Sequence, residues 1–450
     1  MKEQISRRKF LLKSLALSAT AMVAPSLVGD AFAKGKSLQS APESKTKAKK
    51  AKSVILVFLT GGPSHTDTFD PKPNAGREIY GSYKTPIETN IAGTFINQNL
   101  KNLAKIADKY SIIRSMRTNS NAHEVGQYMM YTGDMSKGSI VYPAFGSVIS
   151  YLNPMDYSGN LPSYISVPNT SVRFNEAGFL GASFKSYSTG GKPHDKIFEV
   201  EGIVNKRAND DVLKYKKGLL ETIEHLGAAN VEQNAEVKNL QSLREQNYEL
   251  ILGESREVFN LNKESDELRD KYGRNEFGQS CLVARRLVEA KVPVVTVNYN
   301  GWDTHKEHFK RMDQRLSTLD MGLSALILDL DEKGLLDDTI ILCGGEFGRT
   351  PKVMWEPPWN GGRGHHGSAF SYLVAGGGFK GGEVLGATDA KSEQVVERAV
   401  TPADLIGSVY KLMGIDPYGT IKHPLYGKVP LLPSLTESSV GVGLLDELFA

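Results

Sequence analysis

The residues able to do chemistry gather in short stretches that each close an apolar run. "GGEFGRTP", residues 344–351, follows "DDTIILC" and sets Glu346 three positions before Arg349. "NGWDTHKEH" follows "VPVVTVNY" and carries Asp303, His305 and His308, and "GGPSHTDTFD" follows "SVILVFL" and carries His65, Asp67 and Asp70. A carboxylate where a buried strand ends is either paired for structure or offered to a metal or substrate. Imidazole and carboxylate on one glycine-rich loop make an ordinary ligand set for Zn, Mn or Fe. A guanidinium fork matches the paired oxygens of a phosphate or sulfate; its structural alternative here is an ion pair between Arg349 and Glu346. His308 faces the same way as His305 only if a helix begins there. His194, His225 and His423 have no such company and are read as ordinary surface or core residues.

These loops need a frame. "SVILVFLTGG" is a short apolar run that stops at glycines, and similar short runs recur at "SIIRSM", "LPSYISVP", "VPVVTVNY", "TIILCGG" and "AFSYLVAGGG", as fully buried strands do. Helical patterns at "NLKNLAKIADKY", "FGQSCLVARRLVEAK" and "RLSTLDMGLSALILDLDEKG" alternate with them. The alternation predicts an α/β fold, a layered sheet of mostly parallel strands with helices on both faces, over residues 53–450. Ligand groups in such folds collect beyond the carboxyl ends of the strands, where the three loops fall. Residues 195–273 are charged and poor in glycine, and read as a helical insertion. "GGGFKGG", residues 376–382, lacks the lysine and hydroxyl residue that close a phosphate loop, and reads as a tight turn.

The composition excludes several classes. The chain of 450 residues carries a formal charge of only +3, so no nucleic-acid surface is indicated. Its excess lysine lies in a basic linker, residues 34–52. Ahead of it, "SRRKFLLKS", an apolar run and "AFA" read as a twin-arginine signal peptide, residues 1–33. The expected product is a periplasmic or secreted protein that meets the twin-arginine translocase during export and has no membrane span after signal removal. Two cysteines, Cys281 and Cys343, are too few for a disulfide framework or an iron–sulfur cluster and read as buried thiols, with a disulfide as the alternative. No nucleotide, flavin or haem motif supports a redox protein.

Taken together, "ILVFLTGGPSHTDTFDPKP", "GWDTH", "EFGRTPK", "GRGHHGSAFSYLVAGGGFKGG" and "VTPADLIGSVYKLMGIDP" resemble an exported bacterial family of unknown function, the one numbered fifteen hundred and one. That family is placed in the alkaline phosphatase-like superfamily beside sulfatases. The resemblance implies an alkaline phosphatase-like fold and a divalent metal ion, Zn, Mn, Fe or Ca. It suggests Glu346 at the position of a sulfatase metal site, Asp303 and His305 at a phosphatase one, and His365 as the late histidine with His366 second. It also makes Asp67, Asp70 and His65 candidates for the first metal carboxylate region, although Gly61 and Gly62 hold the strand-end position where an Asp is usual.

In sulfatases a modified Cys or Ser begins a helix that runs to a Thr-Gly pair. "HEVGQYMMYTG", residues 123–133, has that spacing with His123 in the nucleophile's place, so formylglycine chemistry is not supported. An imidazole there serves as nucleophile, general acid or ligand, and Ser120 is a nearby hydroxyl. A structural reading is also available, because Asn121 with Glu124 fits a capping box. The resemblance therefore implies a metal-dependent hydrolase of phosphate or sulfate esters, with Arg349 on the anion and His123 on the leaving group. The alternative is a degenerate member acting as a periplasmic polyanion- or protein-binding module.

Overall fold

The computed structural model of the chain describes residues 51–135, 138–152, 157, 159–169, 176–204, 210–227, 248–436 and 442–450. The expected signal peptide and nearly all of the linker lie outside them. The linker's end is already part of the body, since Ala51 is fully buried and its N–H donates to the Leu412 carbonyl at 3.1 Å.

Eight strands form the central sheet: β1 (Ser53–Phe58), β2 (Tyr110–Met116), β3 (Tyr164–Val167), β4 (Tyr187–Ser188), β5 (Val294–Asn298), β6 (Thr339–Gly344), β7 (Phe370–Ala375) and β8 (Val384–Leu385). Their order is β8-β2-β7-β6-β1-β5-β3-β4. All pairs are parallel except the two that β7 makes, with β6 and with β2. Every residue of β1, β5 and β6 is buried. Alternation along β1 sends Ile55 and Val57 into one core and Val54, Leu56 and Phe58 into the other. Fully burying each such side chain contributes about 1.5–3 kcal/mol, which is why these strands are continuously apolar rather than alternating.

Helices cover both faces. The ones that matter for the site are α1 (His123–Thr132), α2 (Glu276–Glu289), α3 (His308–Glu332) and α4 (Pro402–Leu412). Asn275 caps α2 by accepting from the Gly278 N–H at 2.9 Å, and Thr401 with Asp404 closes a capping box on α4. Cys281 in α2 and Cys343 in β6 are buried free thiols. Within residues 195–273 the described parts include a helix at Asp210–Gly227, and the later part is bolted to α2 by Arg285 with Glu264 at 2.8 Å and Arg269 with Gln279 at 2.8 Å. The glycine run after β7 is a turn in which Gly376, Gly377 and Gly378 all have positive φ.

Register brings the chemistry together. Phe58 pairs with both Asn298 and Gly344, so β1, β5 and β6 end level at one edge. Because β7 runs the other way, its amino end meets that edge, and the residues before it arrive beside the residues that follow β1, β5 and β6. The segment after β2 reaches the same edge and opens α1.

Candidate active site

Asp303 is the hub of the group at this edge. Its Oδ1 lies 3.1 Å from His305 Nε2, 3.2 Å from His365 Nε2 and 2.6 Å from Arg349 Nη2, and its Oδ2 lies 3.4 Å from His123 Nε2. His305 and His365 face each other Nε2 to Nε2 at 2.9 Å. His123 Nδ1 meets Glu346 Oε1 at 2.6 Å. One ligand atom each from His123, Asp303 and His365 lie within 4.8 Å of one another, so one divalent cation could be reached by all three. Two imidazoles and a carboxylate are an accepted donor set for such an ion.

The electrostatics follow from the contacts. Hydrogen bonds with Asp303 and then Glu346 push the His123 imidazole up to about 9. Burial opposes ionisation of Asp303, yet the hydrogen bonds from His123 and His365 and the Arg349 guanidinium hold its carboxyl far below the usual range. His305 is pulled down, chiefly by burial. The site is thus arranged to keep a carboxylate ionised among imidazoles, and a cation entering there competes with protons rather than with empty space.

Glu346 and Arg349 stand one layer deeper. Both are fully buried. Glu346 accepts from the Gly61 N–H and from Gln127 Nε2 at 3.3 Å as well as contacting His123. Arg349 donates to the carbonyls of Gly62 at 3.0 Å, Arg363 at 3.3 Å and Gly61, besides its bond to Asp303. The ion pair between Arg349 and Glu346, the structural alternative to anion binding, is not made; the partner is Asp303. With every nitrogen of its fork engaged below the surface, Arg349 orients Asp303 from behind.

The remaining candidates sit elsewhere. Asp67 is completely buried, with its Oδ2 2.6 Å from Arg363 Nε and 2.8 Å from His308 Nε2. His308 does begin a helix, but its ring points into the core, with Nδ1 2.6 Å from Thr304 Oγ1. Asp70 bonds Lys72 at 3.0 Å, Ser392 at 3.3 Å and Thr388. His65 is held by the Ser392 carbonyl at 2.9 Å and stacks on His366, with ring centroids 6.0 Å apart. His366 follows His365 in a two-residue strand, so the two rings leave opposite sides, and His366 Nε2 goes to the Glu393 carbonyl at 2.8 Å. Ser120 Oγ accepts from the Ala122 N–H at 3.3 Å. Trp302 packs under the loop against Tyr299 at 5.6 Å rather than walling the site.

The expected capping box at α1 does not form. Ala122 is the N-cap, with no side-chain cap bond. Asn121 is drawn across the chain instead: its Oδ1 accepts from the Gly367 N–H at 2.7 Å, and its carbonyl oxygen faces His365 Nδ1 at 2.7 Å. Gln127 was not singled out from the sequence, and Asn121 and Gly61 were noted there only as a helix cap and as a strand-end glycine. The signal for Gln127 was present, since it lies four residues after His123 and so on the same helix face.

A family profile described as "Protein of unknown function (DUF1501)" matches residues 51–431. No curated protein matches the sequence. Similar solved structures include the PsFucS1 sulfatase from Pseudoalteromonas sp., at 13% identity and a TM-score of 0.38, over 82% of this chain and 68% of that one. The lipoteichoic acid synthase LtaP from Listeria monocytogenes is similar at 9% identity and a TM-score of 0.37, over 85% and 74%. The alkaline phosphatase from the Antarctic bacterium TAB5 is similar at 10% identity and a TM-score of 0.34, over 81% and 99%. At these values the likeness carries no argument about activity.

Proposed function

The chain belongs to the DUF1501 family, and from the site that lies within the matched residues we propose that it is an exported, metal-dependent hydrolase of phosphate or sulfate esters. The observation that carries this reading is the convergence of His123, Asp303 and His365 from three separate segments of the chain, with one ligand atom of each within 4.8 Å of the others. The motifs that resemble those of sulfatases and phosphatases supply the ester class. The amino-terminal twin-arginine pattern supplies the export route to the periplasm or beyond.

His123, Asp303 and His365 would hold the ion. When bound, a divalent cation supplies a Lewis acid that polarises an ester oxygen and lowers the pKa of a water. Arg349 keeps Asp303 ionised and aimed. His305 is the most exposed imidazole of the group, its side chain 37% accessible, and its lowered pKa leaves it neutral and able to take a proton from an attacking water and pass it to the leaving oxygen. With His123 engaged at both nitrogens and both cysteines in the core, the attacking group in this reading is water.

The test is turnover of a panel of aryl phosphate and sulfate esters by mature protein, chelator-treated protein and Asp303→Ala. Saturable hydrolysis lost in the last two is the expected result. A protein that keeps its metal and hydrolyses none of the panel would return the binding-module reading.

A further inference from the structure

The hydrogen bonds behind the two imidazoles decide which nitrogen each can offer. A backbone carbonyl only accepts, so His365 Nδ1, 2.7 Å from the Asn121 oxygen, must carry a proton. Glu346 Oε1 already accepts from the Gly61 N–H at 3.0 Å and from Gln127 Nε2, and is an acceptor at every contact, so His123 Nδ1 carries a proton too. Each ring, when neutral, then has its lone pair on Nε2; that of His123 points at an Asp303 oxygen at 3.4 Å, and that of His365 points at an Asp303 oxygen at 3.2 Å and at His305 Nε2 at 2.9 Å. Lone pair facing carboxylate oxygen is repulsive unless a proton or a metal stands between them; between His123 and Asp303 the metal-free chain holds a proton, and a metal ion takes its place.

We infer that Glu346 is a positioning residue and no ligand, that His123 Nε2, His365 Nε2 and Asp303 are the ligand set, and that the ion they take is nitrogen-preferring, of the zinc type rather than the calcium type. The inference rests on the metal-site reading above and deepens it. Calcium asks for six to eight oxygens, whereas zinc in catalytic sites takes three protein ligands with nitrogen among them and keeps a position open. A carboxylate on the far nitrogen of a ligating histidine fixes its tautomer and raises its basicity, which is the relation of Glu346 to His123. The same arrangement removes His123 from the role of nucleophile, because the nitrogen that would attack is the one that ligates.

The experiment uses the full mature chain stripped by chelation and titrated calorimetrically with Zn²⁺ and with Ca²⁺, with Co²⁺ loading read by visible absorption. One zinc per chain, with no competition from millimolar calcium, is expected. Glu346→Gln should bind Zn²⁺ roughly 10–100-fold more weakly yet keep the cobalt bands of the unchanged chain, while His123→Ala alters them. If Glu346→Gln shifts the bands as His123→Ala does, Glu346 is a ligand and the inference falls. Should a variant fail to fold, long-range proton–nitrogen correlation on zinc-loaded, histidine-labelled wild type reads the tautomers directly; a bare Nδ1 on His123 or His365 overturns the assignment. Zinc binding as described without ester turnover sinks the hydrolase reading alone, and turnover sustained by calcium alone sinks this one alone.

Discussion

The Gly61 N–H donates to both carboxylate oxygens of Glu346, at 3.0 and 3.1 Å, across the gap between β1 and β6. Gly61 has φ of +114°, and a Cβ there would lie 2.3 Å from the Asp303 nitrogen. A side chain at this strand end would therefore push on the loop that carries Asp303. This is a physical reason why glycine stands where an aspartate was looked for.

Gly61→Ala should accordingly disturb Glu346 and Asp303 together. The conformational strain alone is about 1–3 kcal/mol, visible in thermal unfolding, and zinc affinity should fall at least about tenfold. An alanine variant that titrates with zinc like the wild type would show that the close approach does not matter.

Arg349→Lys separates two roles. If the guanidinium aims Asp303, the variant loses the fork that reaches the Gly61 and Gly62 carbonyls and the carboxylate at once, and metal affinity drops. If Arg349 instead grips the substrate anion, KM rises while metal affinity stays. The first outcome is expected, and paired zinc titration and ester kinetics decide it.

Asp67→Asn tests the buried Arg363–Asp67–His308 cluster. Removing one partner leaves an uncompensated buried charge, which costs about 3–5 kcal/mol, readable by urea unfolding. Metal per folded chain should not change. Loss of metal at normal stability would reinstate Asp67 as a ligand.

His65 should make the fold sensitive to mild acid. Burial, with the neighbouring His366, lowers it to about 4 from 6.5. The unfolded chain takes a proton on His65 below pH 6.5 while the folded chain resists until about pH 4, so stability falls as pH drops through that window. The full loss is about 3 kcal/mol. Unfolding measured at a series of pH values should show this slope, and His65→Asn should flatten it; an unchanged slope would place the sensitivity elsewhere.

The six longer strands were legible as short apolar runs, and β1, β5 and β6 were read at nearly their true bounds, whereas the two-residue edge strands β4 and β8 are too short to carry such a pattern. That β7 runs backwards was not legible, since a buried strand carries no mark of direction in its own sequence. Asp303, His305 and His365 could be nominated because their loops follow or precede such strands. The depth of Arg349 and the pairing of Asp67 could not, because both depend on partners far along the chain, 287 residues for Arg349 with the Gly62 carbonyl and 296 for Arg363 with Asp67. Asn121 shows the same limit: its local pattern spelled a helix cap, and a contact 246 residues away claimed the side chain.

The reversed strand β7 bears on when the site can exist. His365 arrives only with that strand, and its bond to Asn121 spans 244 residues, so the donor set is incomplete until the sheet has closed around it. A chain exported already folded, as proposed, would complete its sheet inside the cell. The identity of its ion would then be selected by the metals of the cytoplasm rather than by those of the place where it works.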